Sequence, residues 1–310
     1  FVFRTTFEGM GDIRPVMVFN GAAFLLNIVL DYILVFGKLG VPAMGGAGAG
    51  WATAIVMTFL LICMAIYAQR SSTMRALKLY SEFARVNIAA IVNILRLGVP
   101  IALNIAAEIM FFAIIPLMIA HLGSDVVGAH AIAINIDSLA FMVPLGVASA
   151  LTIKVAMAEG AGDPKLARRF CIVGYKMVFV LGLTTAALKI TLREDLAALF
   201  SADPNVQLVA ANLFLFAAAL GSVDSLQMTA SGALRGYKDV RTPLLIQVVA
   251  FWVIAFPIAY SLALTDMWGE PMGVYGFWVG TIIGASCAGI GLMTRWNIVS
   301  RRRIQALGNL

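Results

Sequence analysis

The stretch FEGMGDIRP at residues 7–15 returns as LRGYKDVRTP at residues 234–243. The match continues in unchanged order over about 50 residues, at an offset of 227 before a one-residue gap and of 228 after it. The identical pairs are Gly9 with Gly236, Asp12 with Asp239, Arg14 with Arg241, Pro15 with Pro243, Tyr32 with Tyr260, Met44 with Met272, Gly45 with Gly273, Gly48 with Gly276, Thr53 with Thr281 and Ile55 with Ile283. An ordered series of this length predicts a duplicated structural unit.

The composition indicates that lipid surrounds most of the chain. Of the 310 residues, 61% are apolar and 12% are charged, against about 45–50% and about 25% in soluble domains. The mean hydropathy is +0.94. A soluble fold keeps a wetted shell whatever the size of its core, so it cannot hide this much apolar surface. These values exclude a cytosolic enzyme, a disordered tail and a disulfide-rich secreted domain.

Eight apolar runs are long enough to cross about 30 Å of hydrocarbon, which takes about 20 helical residues. They lie at 15–36, 48–68, 97–120, 126–152, 171–192, 206–234, 243–265 and 273–294. The runs are continuous rather than alternating, which excludes a β-barrel. We therefore predict an all-α polytopic membrane protein with eight transmembrane helices in this chain.

The duplication relates the first two predicted helices to the last two, so one period contains six helices. Because six is even, both copies enter the membrane in the same direction, as parallel repeats about an axis along the membrane normal. The first copy lacks four helices here. We expect about 130–140 residues to precede Phe1 in a twelve-helix, two-bundle protein, since that is the length of four spans with their loops.

The basic residues predict the orientation and the limits of the parts. Nineteen of the 22 Lys and Arg residues fall on one side of the predicted membrane, here called the basic side, and three on the other. Basic loops stay in the cytoplasm, so both ends of this chain are predicted to be cytoplasmic. The predicted parts are the end of a first six-helix lobe at 1–68, a cytoplasmic linker at 69–96 with an amphipathic stretch at 78–85, a second lobe at 97–294 and a basic tail at 295–310.

Metal, cofactor and nucleic-acid binding are not predicted. The chain has two histidines and three scattered cysteines, Cys63, Cys171 and Cys287, with no metal-ligand spacing. The basic excess is explained by topology, so it does not indicate nucleic acid. We expect a monomer in a lipid bilayer, with no cofactor.

Four carboxylates lie well inside the predicted spans: Asp31, Glu108, Asp137 and Asp224. A charged residue at the bilayer centre costs about 2.5–3.5 kcal/mol or more, so each one is a functional hypothesis. No Lys or Arg is expected at the same depth. Such carboxylates either take up protons or bind a cation, inorganic or organic. The structural alternative is a neutral acid that donates to a nearby carbonyl.

Amide side chains accompany three of these acids on the same helix face. Asn27 precedes Asp31 by four residues, Asn104 precedes Glu108 by four, and Gln227 follows Asp224 by three. Residues three or four apart share one side of a helix, so each pair offers two oxygen ligands to a cation. The alternative for each amide is a hydrogen bond between helices.

Four motifs resemble the multidrug and toxic compound extrusion (MATE) family, in its NorM-like branch. They are GAHAIAIN at 128–135, FMVPLG at 141–146, GAGD at 160–163 and GALRGYKD at 232–239. The resemblance covers nearly the whole chain, in register with helices five to twelve of that family. It implies two six-helix lobes and the export of cationic, often aromatic, compounds in exchange for Na⁺ or H⁺.

The resemblance also implies site residues. Glu108 and Asp224 match a Glu and an Asp of the family's second lobe, and Asn27, Asp31 and Thr53 match an ion site of its first lobe. Asp137 stands where the family more often has Ser and is a possible addition to the second-lobe site. Leu220 replaces a frequent Tyr one turn before the helix-ten Asp.

The sequence thus predicts a secondary active antiporter at the bacterial inner membrane that exports cationic amphipathic molecules for Na⁺ or H⁺. The predicted ion-binding residues are Glu108, Asp224, Asn27, Asp31, Thr53 and Asp137, and the predicted substrate-binding residues are Glu108, Asp224, Asn104 and Gln227. The main alternative is a lipid-precursor flippase, which would need a basic cavity. A membrane-embedded transferase or protease lacks its nucleophile or metal motif, and buried acids argue against a scaffold protein.

Overall fold

The computed structural model describes residues 2–71 and 87–308. Regular structure in these two ranges is helical throughout. The helices are α1 (Val2–Gly9), α2 (Arg14–Phe36), α3 (Gly46–Arg70), α4 (Ile88–Ile119), α5 (Ser124–Gly160), α6 (Pro164–Thr191), α7 (Arg193–Phe200), α8 (Pro204–Gly236), α9 (Arg241–Leu264) and α10 (Val274–Gly308). Short 3₁₀ turns follow α4 at Ala120–Leu122 and α9 at Asp266–Trp268. The predicted interfacial stretch 78–85 lies outside the described residues.

Eight helices in the described ranges are long and apolar enough to cross a membrane, which confirms the predicted fold class. Several of them extend past the predicted spans: α4 begins at Ile88 rather than at 97, and α10 continues to Gly308 rather than ending near 294. A helix of 35 residues is about 50 Å long, which exceeds a hydrocarbon layer of about 30 Å. The apolar run marks only the part in lipid, whereas the backbone hydrogen bonds continue into water.

Aspartate caps and prolines begin two helices at their expected places. Asp163 accepts a hydrogen bond from the Leu166 amide at the start of α6, and Asp203 accepts one from the Asn205 amide at the start of α8. Proline follows each cap, where its missing N–H has no partner to lose.

A π-helical segment, Val249–Ala255, interrupts α9 just before Pro257. Proline lacks the N–H that would continue the α-helical ladder, and wider turns are a known local response to such a gap. The segment places Trp252 so that its Nε1 donates to the Ala107 carbonyl of α4 over 3.2 Å. This bond fixes α4 at the residue before Glu108.

The chain divides into two compact units, Phe1–Asn87 and Ile88–Leu310. In the first unit, α1–α3 enclose a small core of Phe7, Val16, Met64 and Ala68. In the second unit, α8 is the central helix and packs against α5, α6, α7 and α10. The boundary between the units falls inside the predicted linker 69–96.

The duplicated stretch has the same backbone geometry in both units. The Met44 amide donates to the Leu34 carbonyl at 2.9 Å, and the Met272 amide, 228 residues on, donates to the Leu262 carbonyl at 2.9 Å. Gly45 and Gly273 have φ values of 54° and 59°, in the left-handed region that favours glycine. The sequence repeat is therefore also a structural repeat.

Candidate functional site

Small side chains hold the helices close around α8. A methyl group on Gly232 would lie 2.5 Å from the Ala148 carbonyl oxygen of α5, so only glycine permits this approach. Asp224 lies eight residues before Gly232 on the same helix and is 7% exposed.

The Asp224 side chain makes no hydrogen bond or ion pair with any residue in the two described ranges. It lies within electrostatic range of Glu108, Asp137 and Lys189. A buried carboxylate without a partner costs several kcal/mol, so most proteins avoid it. The position is therefore suited to a ligand that brings positive charge.

Two amides near this level also lack partners. Gln227, one turn after Asp224, is 0% exposed, and neither its Nε2 nor its Oε1 has a hydrogen-bond partner among residues 2–71 and 87–308. Asn104 of α4 is buried, and its Oδ1 has no partner in the same described ranges. Each unsatisfied buried polar group costs about 1–3 kcal/mol. These amides offer donors and acceptors that the described residues do not use.

Glu108 lies on α4, one turn after Asn104, and is partly buried. It is within electrostatic range of Asp224 and of Arg235, which lies three turns after Asp224 on the same face of α8. The Arg235 Nε has no hydrogen-bond partner within the part of the chain that the structure describes. The structure thus places Glu108 within electrostatic range of Asp224 and adds Arg235 at the basic end of the same face.

The expectation that no Lys or Arg lies at the depth of the acids is wrong. Lys189 of α6, which the sequence assigned to the side opposite the basic one, is 4% exposed and forms an ion pair with Asp137 of α5. Its Nζ also donates to the Ala217 carbonyl of α8 at 3.2 Å. The long lysine stem carries the charge inward from the helix end, where only a partnered ammonium is tolerated.

In the first unit, Asn27 and Asp31 lie one turn apart on α2 and are partly buried. The Asp31 Oδ1 is buried and has no partner among the described residues. Thr53 of α3 is exposed and donates to the Ala49 carbonyl of its own helix. No hydrogen bond within residues 2–71 joins Thr53 to the other two.

Sequence reasoning missed Lys189, Arg235 and the partner of His130. His130 is buried, and its Nδ1 accepts a hydrogen bond from Trp278 Nε1 of α10 at 3.2 Å. No spacing rule links residues 148 positions apart, so no signal in a single sequence predicts this pair. Across residues 2–71 and 87–308, no group of three His, Cys, Asp or Glu residues is arranged to hold a metal ion.

Comparison with known proteins identifies the family of this chain. The MatE family model matches residues 100–261. The multidrug resistance protein PmpM of Pseudomonas aeruginosa is 40% identical over 304 residues, which cover 98% of this chain and 64% of that protein. The chain therefore spans less than two thirds of that relative's length.

Solved structures show the same fold. A MATE transporter of the MOP superfamily in an outward-facing conformation superposes with a TM-score of 0.85 at 22% identity, covering 100% of this chain and 66% of its own. The Vibrio cholerae MATE transporter VcmN in its bent form superposes with a TM-score of 0.79 at 17% identity. The match covers 97% of this chain and 66% of VcmN. At these identities the similarity shows only that the fold is shared.

Proposed function

Because the chain belongs to the MatE family, whose model matches more than half of its residues, we propose that it works as a secondary active antiporter. In this proposal it exports cationic amphipathic molecules from the cytoplasm in exchange for Na⁺ or H⁺. The relative PmpM is called a multidrug resistance protein, which supports a small-molecule substrate.

The observation that carries the proposal is Asp224, a buried carboxylate on the central helix with no partner among the described residues. Glu108 adds a second acid within electrostatic range. A cationic substrate supplies the missing charge, and Gln227 and Asn104 supply hydrogen-bonding groups beside it. Buried polar groups that lack partners until a ligand arrives are a common basis of specificity.

Exchange follows from competition for the same negative charge. A proton or Na⁺ at Asp224 or Glu108 removes the attraction that holds an organic cation, so the arriving ion releases the substrate. When the ion leaves, the carboxylates are again free to bind substrate. Both coupling ions fit this scheme, since carboxylates bind either.

A second ion site is proposed in the first unit, formed by Asn27 and Asp31 with Thr53. The buried and unpartnered Asp31 Oδ1 supports it. Asp137 is left out of the proposed ion-binding set of the second unit, because the Lys189 ammonium already neutralises it. We further propose a monomer in the bacterial inner membrane with the basic side cytoplasmic, from the distribution of Lys and Arg.

The test is transport by the whole protein in proteoliposomes, with a proton gradient and a Na⁺ gradient imposed separately. Glu108→Gln together with Asp224→Asn is expected to abolish gradient-driven efflux of a cationic dye. The matched control is Glu270→Gln with Asp195→Asn, which neutralises exposed acids outside the spans and leaves efflux unchanged. Efflux at the wild-type rate by the first variant would refute the proposal.

The lipid-precursor flippase remains the second candidate, favoured by one observation, the basic side chain of Arg235 on the face of Asp224. An anionic headgroup would be drawn to that guanidinium but repelled by Glu108 and Asp224. The acids lie deeper in the span, so the antiporter is the better supported function. Movement of a fluorescent anionic lipid that depends on Arg235 but not on Asp224 would favour the flippase.

A further inference from the structure

The ion pair between Lys189 and Asp137 joins three helices of the second unit. Asp137 comes from α5, Lys189 from α6, and Lys189 Nζ also donates to the Ala217 carbonyl of α8 at 3.2 Å. The ammonium therefore has two fixed acceptors. With 4% of Lys189 exposed, neither water nor lipid replaces them.

The pair lies directly against α8 at Gly221, one turn before Asp224. A methyl group on Gly221 would be 3.0 Å from Lys189 Nζ and 3.2 Å from Asp137 Oδ1, so a bare glycine makes room for both charges. Helical side chains tilt towards the helix N-terminus, which directs the Asp224 side chain back towards the Gly221 turn. Asp224 accordingly lies within electrostatic range of both members of the pair.

Stability alone does not account for this pair. Replacing a buried ion pair by apolar residues of similar volume is often neutral or stabilising. The cavity beside the pair is about 10 Å³, enough for one water molecule and too small for an organic substrate. The pair therefore does not bind substrate itself. It determines how many uncancelled charges lie beside Asp224.

We propose that Lys189 is a specificity-determining residue of the proposed antiporter, which selects organic cations with one positive charge over those with two. The inference rests on the proposed function of Asp224. Two further acids, Glu108 and Asp137, are within electrostatic range of Asp224. The Lys189 ammonium cancels Asp137, so this acid offers no attraction to a second positive charge on the substrate. Without the ammonium, Asp137 would stand beside Asp224 as a further uncancelled acid.

Removing the ammonium changes this balance in a defined direction. In Lys189→Gln, Asp137 becomes a second uncompensated carboxylate beside Asp224. A dication gains attraction from both acids, whereas a monocation needs only one. We expect the ratio of dication to monocation affinity to rise by about tenfold or more, since one further charge contact in a dry site exceeds that difference.

The test measures binding of a matched pair of aromatic compounds, one with one quaternary ammonium group and one with two, to the whole protein. Lys189→Gln is expected to raise the dication preference about tenfold. Lys189→Arg keeps the charge and should keep the wild-type ratio. Lys189→Gln with Asp137→Asn restores the charge balance and should also keep it. An unchanged ratio in Lys189→Gln, or the same shift in the neutral double variant, would overturn the inference.

Asp137→Asn supplies an independent test if Lys189→Gln does not fold. It leaves the ammonium uncancelled beside Asp224, so both compounds should bind more weakly and the dication ratio should fall about tenfold. A ratio that stays constant would contradict the inference. Failure of the proposed function gives a different result, because Asp224→Asn would then bind the monocation as the wild type does.

Discussion

Arg295 donates from its Nε to Asp239 Oδ2 at 2.7 Å, at the place where Tyr67 donates from its Oη to Asp12 Oδ2 at 2.8 Å in the first unit. The acceptors are 227 residues apart and the donors 228, which are the two offsets of the sequence repeat. The acceptor is unchanged between the copies, while the donor is neutral in one and charged in the other. In each unit the aspartate lies just before one helix and accepts from a side chain of the next.

Asp239→Asn is expected to lower stability more than Asp12→Asn, because it removes a charge from an ion pair whereas Tyr67 is neutral. The Arg295 and Asp239 side chains are 34% and 15% exposed, so solvent screening limits the loss to about 1 kcal/mol. Thermal unfolding in detergent gives the comparison. An equal loss in both variants would show that the charge contributes nothing.

Gly221→Ala is expected to destabilise the second unit by about 1–3 kcal/mol, because its methyl group would press against Lys189 Nζ and Asp137 Oδ1. Gly146→Ala is the matched control on α5, since a methyl group there meets no atom within 4 Å. The control should be neutral or stabilising by about 0.5–1 kcal/mol. Chemical denaturation of both variants checks this, and two similar shifts would contradict it.

Asp224→Asn is expected to raise thermal stability at pH 8 by about 1–3 kcal/mol while it abolishes transport, since it removes a buried carboxylate that lacks a partner. Asp195→Asn, on the exposed face of α7, should change neither property. Paired measurements of unfolding and dye efflux distinguish these outcomes. A destabilised Asp224→Asn variant would mean that the native carboxylate has a stabilising partner.

Gln227→Leu is expected to stabilise the protein by about 1–3 kcal/mol and to weaken substrate binding, because its amide has no partner until a ligand is bound. Gln247→Leu serves as the control. Gln247 is also buried with an unpartnered Oε1, but it lies outside the proposed site. The Gln247→Leu variant should gain stability without losing affinity for the dye. Dye affinity retained by Gln227→Leu would remove Gln227 from the substrate site.

Trp278→Phe is expected to destabilise the protein by about 1–3 kcal/mol, because it leaves the buried His130 Nδ1 without its donor. Trp268→Phe, in the exposed turn after α9, is the control and should have little effect. The thermal unfolding midpoints of the two variants test this expectation. Equal midpoints would show that water satisfies His130 instead.

Much of the fold could be predicted from the sequence because it depends on local chemistry. The hydrocarbon layer requires long apolar helices, so the eight spans follow from composition. The duplication predicted a repeated unit, and the structure shows the same left-handed backbone at its matched residues Gly45 and Gly273. The helix ends were less predictable, since a helix continues past the lipid without a change in its backbone bonds.

The depth of the acids was also determined by the sequence, because position along a helix sets depth at 1.5 Å per residue. Which acid has a partner was decided only by the tertiary structure. Asp137 and Lys189 are 52 residues apart, and their contact depends on the rotation of α5 and α6 about their axes and on the absence of a side chain at Gly221. A sequence places charges along helices, whereas the packing of those helices determines which charges meet and which, like Asp224, remain uncompensated.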